Sequence, residues 1–171
     1  MRIAVVVAVA VLAGCTSAID PPADSPSPTV STKRTQAFAA TFDPEDRIQH
    51  QVGPELEKTY GWLEYSATTR FLDNSFDAQM QVANDFVKGN GTFEGFVTLE
   101  SPEGDVGLRI TGVAANGPNG PGSSFSGETE VIGGTDSYAT LGGRGRFTGE
   151  LTDGSGSPID VQVTLELINA R

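Results

Sequence analysis

Nucleophilic and metal chemistry draw mainly on histidine and cysteine, and this chain holds one of each, His50 and Cys15. A hydrolytic triad needs a base held beside its nucleophile. A zinc or iron site needs several nitrogen or sulfur ligands converging on one point. A lone His50 between Gln49 and Gln51 supplies neither and reads as a solvated side chain. No catalytic residue, metal set or cofactor is assigned on these grounds. Carboxylates are plentiful: Glu128 with Glu130, and Glu100 with Glu103 and Asp105. The first pair falls on the polar face of an alternating segment and the second group lies in a turn. Both read as solvated surface, with weak calcium binding as the alternative. The residues best suited to touch a ligand are Tyr60, Trp62, Glu64, Tyr65 and Arg70, with Tyr138 far downstream. Rings at the start of a patterned region fit packing at the mouth of a fold, or a ligand lid.

The formal charge of −11 repels phosphate backbones, so nucleic acid is excluded as a partner, and so is a polybasic membrane patch. The acidity reads as solubility. Membrane attachment is expected by another route. Met1-Arg2 gives a positive start and Ile3 to Leu12 is an unbroken apolar run. That run is too short for a span of about 20 residues but suits a secretory leader. It ends in Leu12-Ala13-Gly14-Cys15, which resembles the bacterial lipobox. The resemblance implies a signal peptide over residues 1–14, cleavage before Cys15, and acyl chains on its thiol that anchor the protein outside the cell membrane. The alternative is an ordinary leader with a cysteine near its cleavage site. An Asn-Gly-Thr glycosylation acceptor at Asn90 is discounted, because the lipobox is bacterial.

Residues 15–35 form a lipidated Pro/Ser/Thr-rich stretch with few large apolar residues. Such a composition cannot bury enough surface to offset ordering entropy, so a tether is expected. In residues 36–61, Phe38, Phe42, Ile48, Val52 and Leu56 recur at about four-residue spacing, interrupted by Pro44 and Pro54. This reads as an irregular or short-helix lead-in lying on the domain.

From Trp62 to Arg171 the period becomes two. Leu63, Tyr65, Ala67 and Thr69 share a face, as do Phe76, Ala78, Met80 and Val82. The alternation is cleanest at the end, where Ile159, Val161, Val163, Leu165 and Leu167 interleave with polar residues. Alternation marks strands with one buried face, and Asn/Gly/Pro/Asp clusters between the runs mark short turns. A meander of about eight antiparallel strands forms a sandwich or closes into a barrel. Residues 89–98 and 143–152 share a G-x-G-x-F-x-G-x-[VL]-T pattern. A glycine two places from a phenylalanine lets a strand bend sharply while a ring covers the bare backbone, as a small barrel needs.

The segment Val131-Ile-Gly133-Gly134-Thr-Asp136-Ser-Tyr138-Ala-Thr-Leu141-Gly-Gly143-Arg144-Gly145 resembles the turn of the allene oxide cyclase and dirigent barrel superfamily, which many exported bacterial proteins share. The resemblance runs over roughly Trp62 to Leu167 and implies an all-β, eight-stranded antiparallel barrel. Tyr138 and Leu141 would plug one end. Asp136 stands where the family has glycine, and aspartate tolerates positive φ. No working residue of the family carries over. Two readings of function follow. In one, a lipid-anchored extracytoplasmic barrel binds a small apolar ligand or surface partner without catalysis. In the other, an isomerase or cyclase acts on a hydrophobic substrate held in the barrel. A structural envelope role is a third, and oligomeric state is left open. An interior packed solid by Phe93, Phe125 and Phe147 would leave surface roles, whereas an open interior with a buried Tyr, Arg or carboxylate would favour the enzyme.

Overall fold

The computed structural model describes residues 32–54, 57–117, 122–151, 153 and 156–169. The expected leader, Cys15, the tether up to residue 31 and Leu56 lie outside the described residues. The described chain is all-β. Eight strands follow one another around a closed antiparallel barrel, each paired with its sequence neighbours and the last with the first. They are β1 (Thr32–Gln51), β2 (Lys58–Phe71), β3 (Asn74–Val87), β4 (Asn90–Ser101), β5 (Gly104–Asn116), β6 (Ser123–Gly134), β7 (Leu141–Leu151) and β8 (Ile159–Asn169). A one-turn 3-10 helix, Asp136–Tyr138, lies between β6 and β7.

Period-two patterning sets which face is inside. In β8 the row from Ile159 to Leu167 is buried and the residues between are exposed. Rows from Phe76, Phe93 and Val106 do the same in β3, β4 and β5. The inward rows meet in one core of aliphatic and phenylalanine side chains.

Residues 36–51 and 58–61 are strand and not an irregular or short-helix lead-in. Thr32–Gln51 is the longest strand, and it closes the barrel: Thr32 to Phe42 pairs with β8 and Asp43 to Gln51 with β2. Thr32 to Thr35, expected as part of the tether, belong to this strand. A spacing of four is compatible with both periods, because residues i and i+4 share a face in a strand as well as in a helix. Phe38 and Phe42 are buried in this way. Pro44 sits at the edge of a register shift between itself and Asp46. Such a bulge tolerates the missing N–H and reverses the parity of the residues beyond it. Ile48 consequently faces solvent, 51% exposed. His50 belongs to the barrel, exposed in β1 opposite Tyr60, and does not lie outside it.

The two ends of the barrel differ. At one end lie the start of β1, the end of β8, the Leu72-Asp73 hairpin and the 3-10 turn. Leu72 and Asp73 have φ of 51° and 67°, the left-handed pair that a two-residue hairpin requires. Asp136 takes φ 45°, and a side chain on Gly134 would run into the Tyr138 carbonyl. The chain thus turns back tightly enough to set Tyr138 and Leu141, both buried, over the end. Strand β7 begins there at Leu141, three residues before Arg144. The Tyr138 hydroxyl accepts from Asn74 Nδ2 at 2.8 Å and donates to Glu103 Oε2 at 3.4 Å. Below it runs a file of rings, Phe38–Phe71, Phe71–Phe76 and Phe76–Tyr138, with centroids 5.5, 6.1 and 5.5 Å apart. This end is closed by packing.

Phe71, 1% exposed, joins that file in its middle. Phe71→Ala should lower unfolding free energy by about 3–5 kcal/mol, the usual cost of emptying a buried aromatic site. Urea denaturation followed by circular dichroism measures it.

Candidate functional site

The opposite end is a cup. The inward rows there enclose a cavity of about 340 Å³ whose wall includes Leu63, Met80, Val82, Phe93, Phe125 and Phe147. Its floor is the plugged half of the barrel. Gln49, Lys88, Asn116 and Ser123 supply polar groups to the lining, and Tyr65 adds a phenol. The wall is otherwise apolar.

The register explains why space remains. Around the barrel, one row of paired residues runs Gly61, Asn84, Phe93, Gly112, Gly127, Phe147, Val163 and Phe38. Gly61 is also paired with Gln49, so a full circuit returns to β1 at Phe38, far along the strand from where it began. Such a stagger tilts the strands and widens the barrel. Three members of the row are glycines. A Cβ on Gly112 would meet Phe93 Cζ at 2.6 Å, and one on Gly61 would meet Gln49 Cγ at 2.7 Å. At these two positions a neighbouring side chain covers the bare backbone; the glycines of the repeated pattern, Gly91, Gly95, Gly145 and Gly149, have no phenylalanine ring among their nearest atoms. Phe93 packs edge-on against Phe147 at 5.4 Å and Phe125 at 6.1 Å. The three rings form one side of the cup without filling it.

Of the six residues singled out from sequence as ligand contacts, Tyr65 lines this cavity. Tyr60 and Trp62 lie in β2, the second strand. Tyr60 is 54% exposed. Trp62 is paired with outward-facing Ile48 and donates from Nε1 to Glu64 Oε1 at 2.8 Å. Arg70 is exposed in the same strand, and Tyr138 belongs to the plug. None of these five lines the cavity; Glu64 shares with Tyr65 only a separate depression beside Glu45, Ser66 and Gln79.

Two of the carboxylates marked in the sequence have other partners. Glu130 Oε1 accepts from Arg144 Nη2 at 2.9 Å, and Glu103 serves the plug through Asn74 and Tyr138. Among the described residues no group of three or more His, Cys, Asp or Glu side chains is placed to hold a metal ion.

Tyr65 is buried. Burial pushes its phenol above the ordinary value of 10.0, and the positive charge of Arg47 opposes that rise in part. Near neutral pH the group is a protonated donor facing the cup. Arg47 itself donates from Nε to Gln49 Oε1 at 2.8 Å. At the rim, Lys88 is held above its usual range by a hydrogen bond and ion pair to Glu57 at 2.8 Å.

One residue was missed from sequence. Asn84 continues the inward row Phe76, Ala78, Met80, Val82 and is 1% exposed. Neither its Oδ1 nor its Nδ2 has a hydrogen-bond partner among the described residues. The signal was its even position in that row, two places before Phe86 of the cavity wall.

No protein-family model matches the chain, and no curated protein matches it. Three solved chains do. One is titled pyocyanin demethylase, at 15% identity and a TM-score of 0.41, covering 81% of this chain and 99% of that one.

The raised phenol makes alkaline stability a readout of Tyr65. Between the unfolded value near 10 and the higher folded value, the folded state keeps a proton that the unfolded state loses, so stability falls as pH rises through that window. Below it the contribution is fully present. Tyr65→Phe should flatten the decline in melting temperature above about pH 10, as measured by thermal scans across pH 8 to 11. An unchanged slope would refute the assignment.

Proposed function

We propose that this protein is a lipid-anchored, extracytoplasmic cup that binds a small, mainly apolar molecule without transforming it. The observation that carries the reading is the asymmetry of the barrel: one end sealed by rings, the other opening on a cavity of about 340 Å³ with an apolar wall. That volume lies in the range of small-molecule sites, which are concave and mostly apolar with a few polar groups. The lipobox-like Leu12-Ala13-Gly14-Cys15 supports the anchor. Strand β1 starts at the plugged end, paired with the end of β8. A tether from Cys15 would therefore leave the domain at that end, and the mouth would look away from the membrane. A proline-rich stretch extends about 3 Å per residue, which would hold the domain tens of ångströms from the lipid.

A second reading has a specific observation in its favour. The interior is open and holds a buried tyrosine that keeps its proton. In an isomerase or cyclase of the allene oxide cyclase type, Tyr65 would donate a hydrogen bond to an oxygen developing charge on a hydrophobic substrate.

Two measurements test the main reading. Cells given labelled palmitate should label the wild-type chain and not Cys15→Ser, and the variant should leave the membrane fraction. The full chain carrying Cys15→Ser should then bind N-phenyl-1-naphthylamine, an uncharged fluorescent probe. Adding Leu63→Trp, at a half-buried wall position, should weaken that binding at least about tenfold while the β-type circular dichroism is kept. Equal binding by the filled variant would show that the probe sits elsewhere.

A further inference from the structure

Asn84 is a buried polar side chain just behind an apolar wall, with no hydrogen-bond partner among the described residues. Its neighbours in the inward row are Val82 and Phe86, and Phe93 is its partner on β4. All three line the cavity. On β2 its partner is Gly61, which offers no side chain. An amide can use two donors and an acceptor, and leaving them unmet in a buried place is costly. A leucine or valine would continue the Phe76-to-Val82 row without that cost. Buried groups left unmet in this way call for an explanation beyond packing.

We propose that Asn84 is the specificity residue of the cup and that its ligand carries a ring bearing an amide-like edge: a lactam, a primary amide or an un-ionised carboxylic acid. This rests on the reading of the cavity as a binding site. Such an edge puts a donor and an acceptor side by side, so one group satisfies Oδ1 and Nδ2 together. An ionised carboxylate would meet only the donor and repel the acceptor. The ring of the ligand takes the apolar wall, against Phe93 and Phe147. Asn84 does not itself line the cavity; Phe86, half-buried and one inward position nearer the mouth, does. Rotation of that ring opens the path to Asn84, and the bound ligand takes its place over the amide.

A matched set of three probes separates the amide edge from simple apolarity: isoquinolin-1-one, its N-methyl derivative and naphthalene. The full chain carrying Cys15→Ser is titrated with each. Isoquinolin-1-one should bind about tenfold or more tightly than the other two and should shift the Asn84 side-chain NH₂ signals in a ¹H–¹⁵N spectrum. In Asn84→Leu the preference should vanish while naphthalene binding remains, and the ligand-free melting temperature should rise. Binding of naphthalene without preference for the lactam would overturn the role of Asn84 and leave the cavity reading standing. Failure of all three to bind the parent chain would overturn both. The NH₂ shift is read without the substitution, so it decides the matter even if Asn84→Leu folds poorly.

Discussion

Everything inside this protein depends on one act of closure, the pairing of β1 with β8 on one side and β2 on the other. Without it the sheet would have two long edges, and its apolar face would lie open to water. Closure converts that face into an interior. The bulge beside Pro44 divides the work of β1 into two halves of opposite parity. The first half sends Phe38 and Phe42 into the core. The second turns Ile48 to solvent and brings Gln49 to the cavity lining. One irregular residue step thus separates a sealed floor from a polar rim.

The outer wall is held by different means. Arg109 meets Glu94 at 2.7 Å and Arg144 meets Glu130 at 2.9 Å across neighbouring strands. Exposed pairs of this kind contribute little stability, up to about 1 kcal/mol each. They suit the outside of a barrel whose stability comes from the interior rows, and they align opposite charges across the strand pairs that carry them. With no cysteine among the described residues, no disulfide staples the barrel, and packing has to suffice.

The strands from Trp62 onward were legible because one face is apolar and the other polar, and the plug at Tyr138 and Leu141 was legible from its turn. β1 was not. Phe38 and Phe42 are spaced as they would be in a helix, and Pro44 looked like a terminator when it marks a bulge. Trp62, Glu64 and Tyr60 drew attention as ligand contacts because they are large or charged. Their positions beside Tyr65 put them on the other face, a distinction that depends on register. Asn84 was invisible for the opposite reason: in Ala83-Asn84-Asp85 it looks like the polar end of a strand, and only burial marks it out. The openness of the cup follows from stagger around the whole barrel, which no local pattern carries.

The order of pairing has a consequence for how the molecule assembles. Seven of the eight strand contacts join consecutive strands, but the eighth joins the first strand to the last. Its ordering entropy falls on a loop nearly as long as the domain, and contacts of such long sequence separation form slowly. The final eleven residues of strand therefore carry a disproportionate share of the fold. Until they have emerged and docked, neither the sealed floor nor the cup exists, and a chain cut short before Ile159 would present both raw edges to its neighbours.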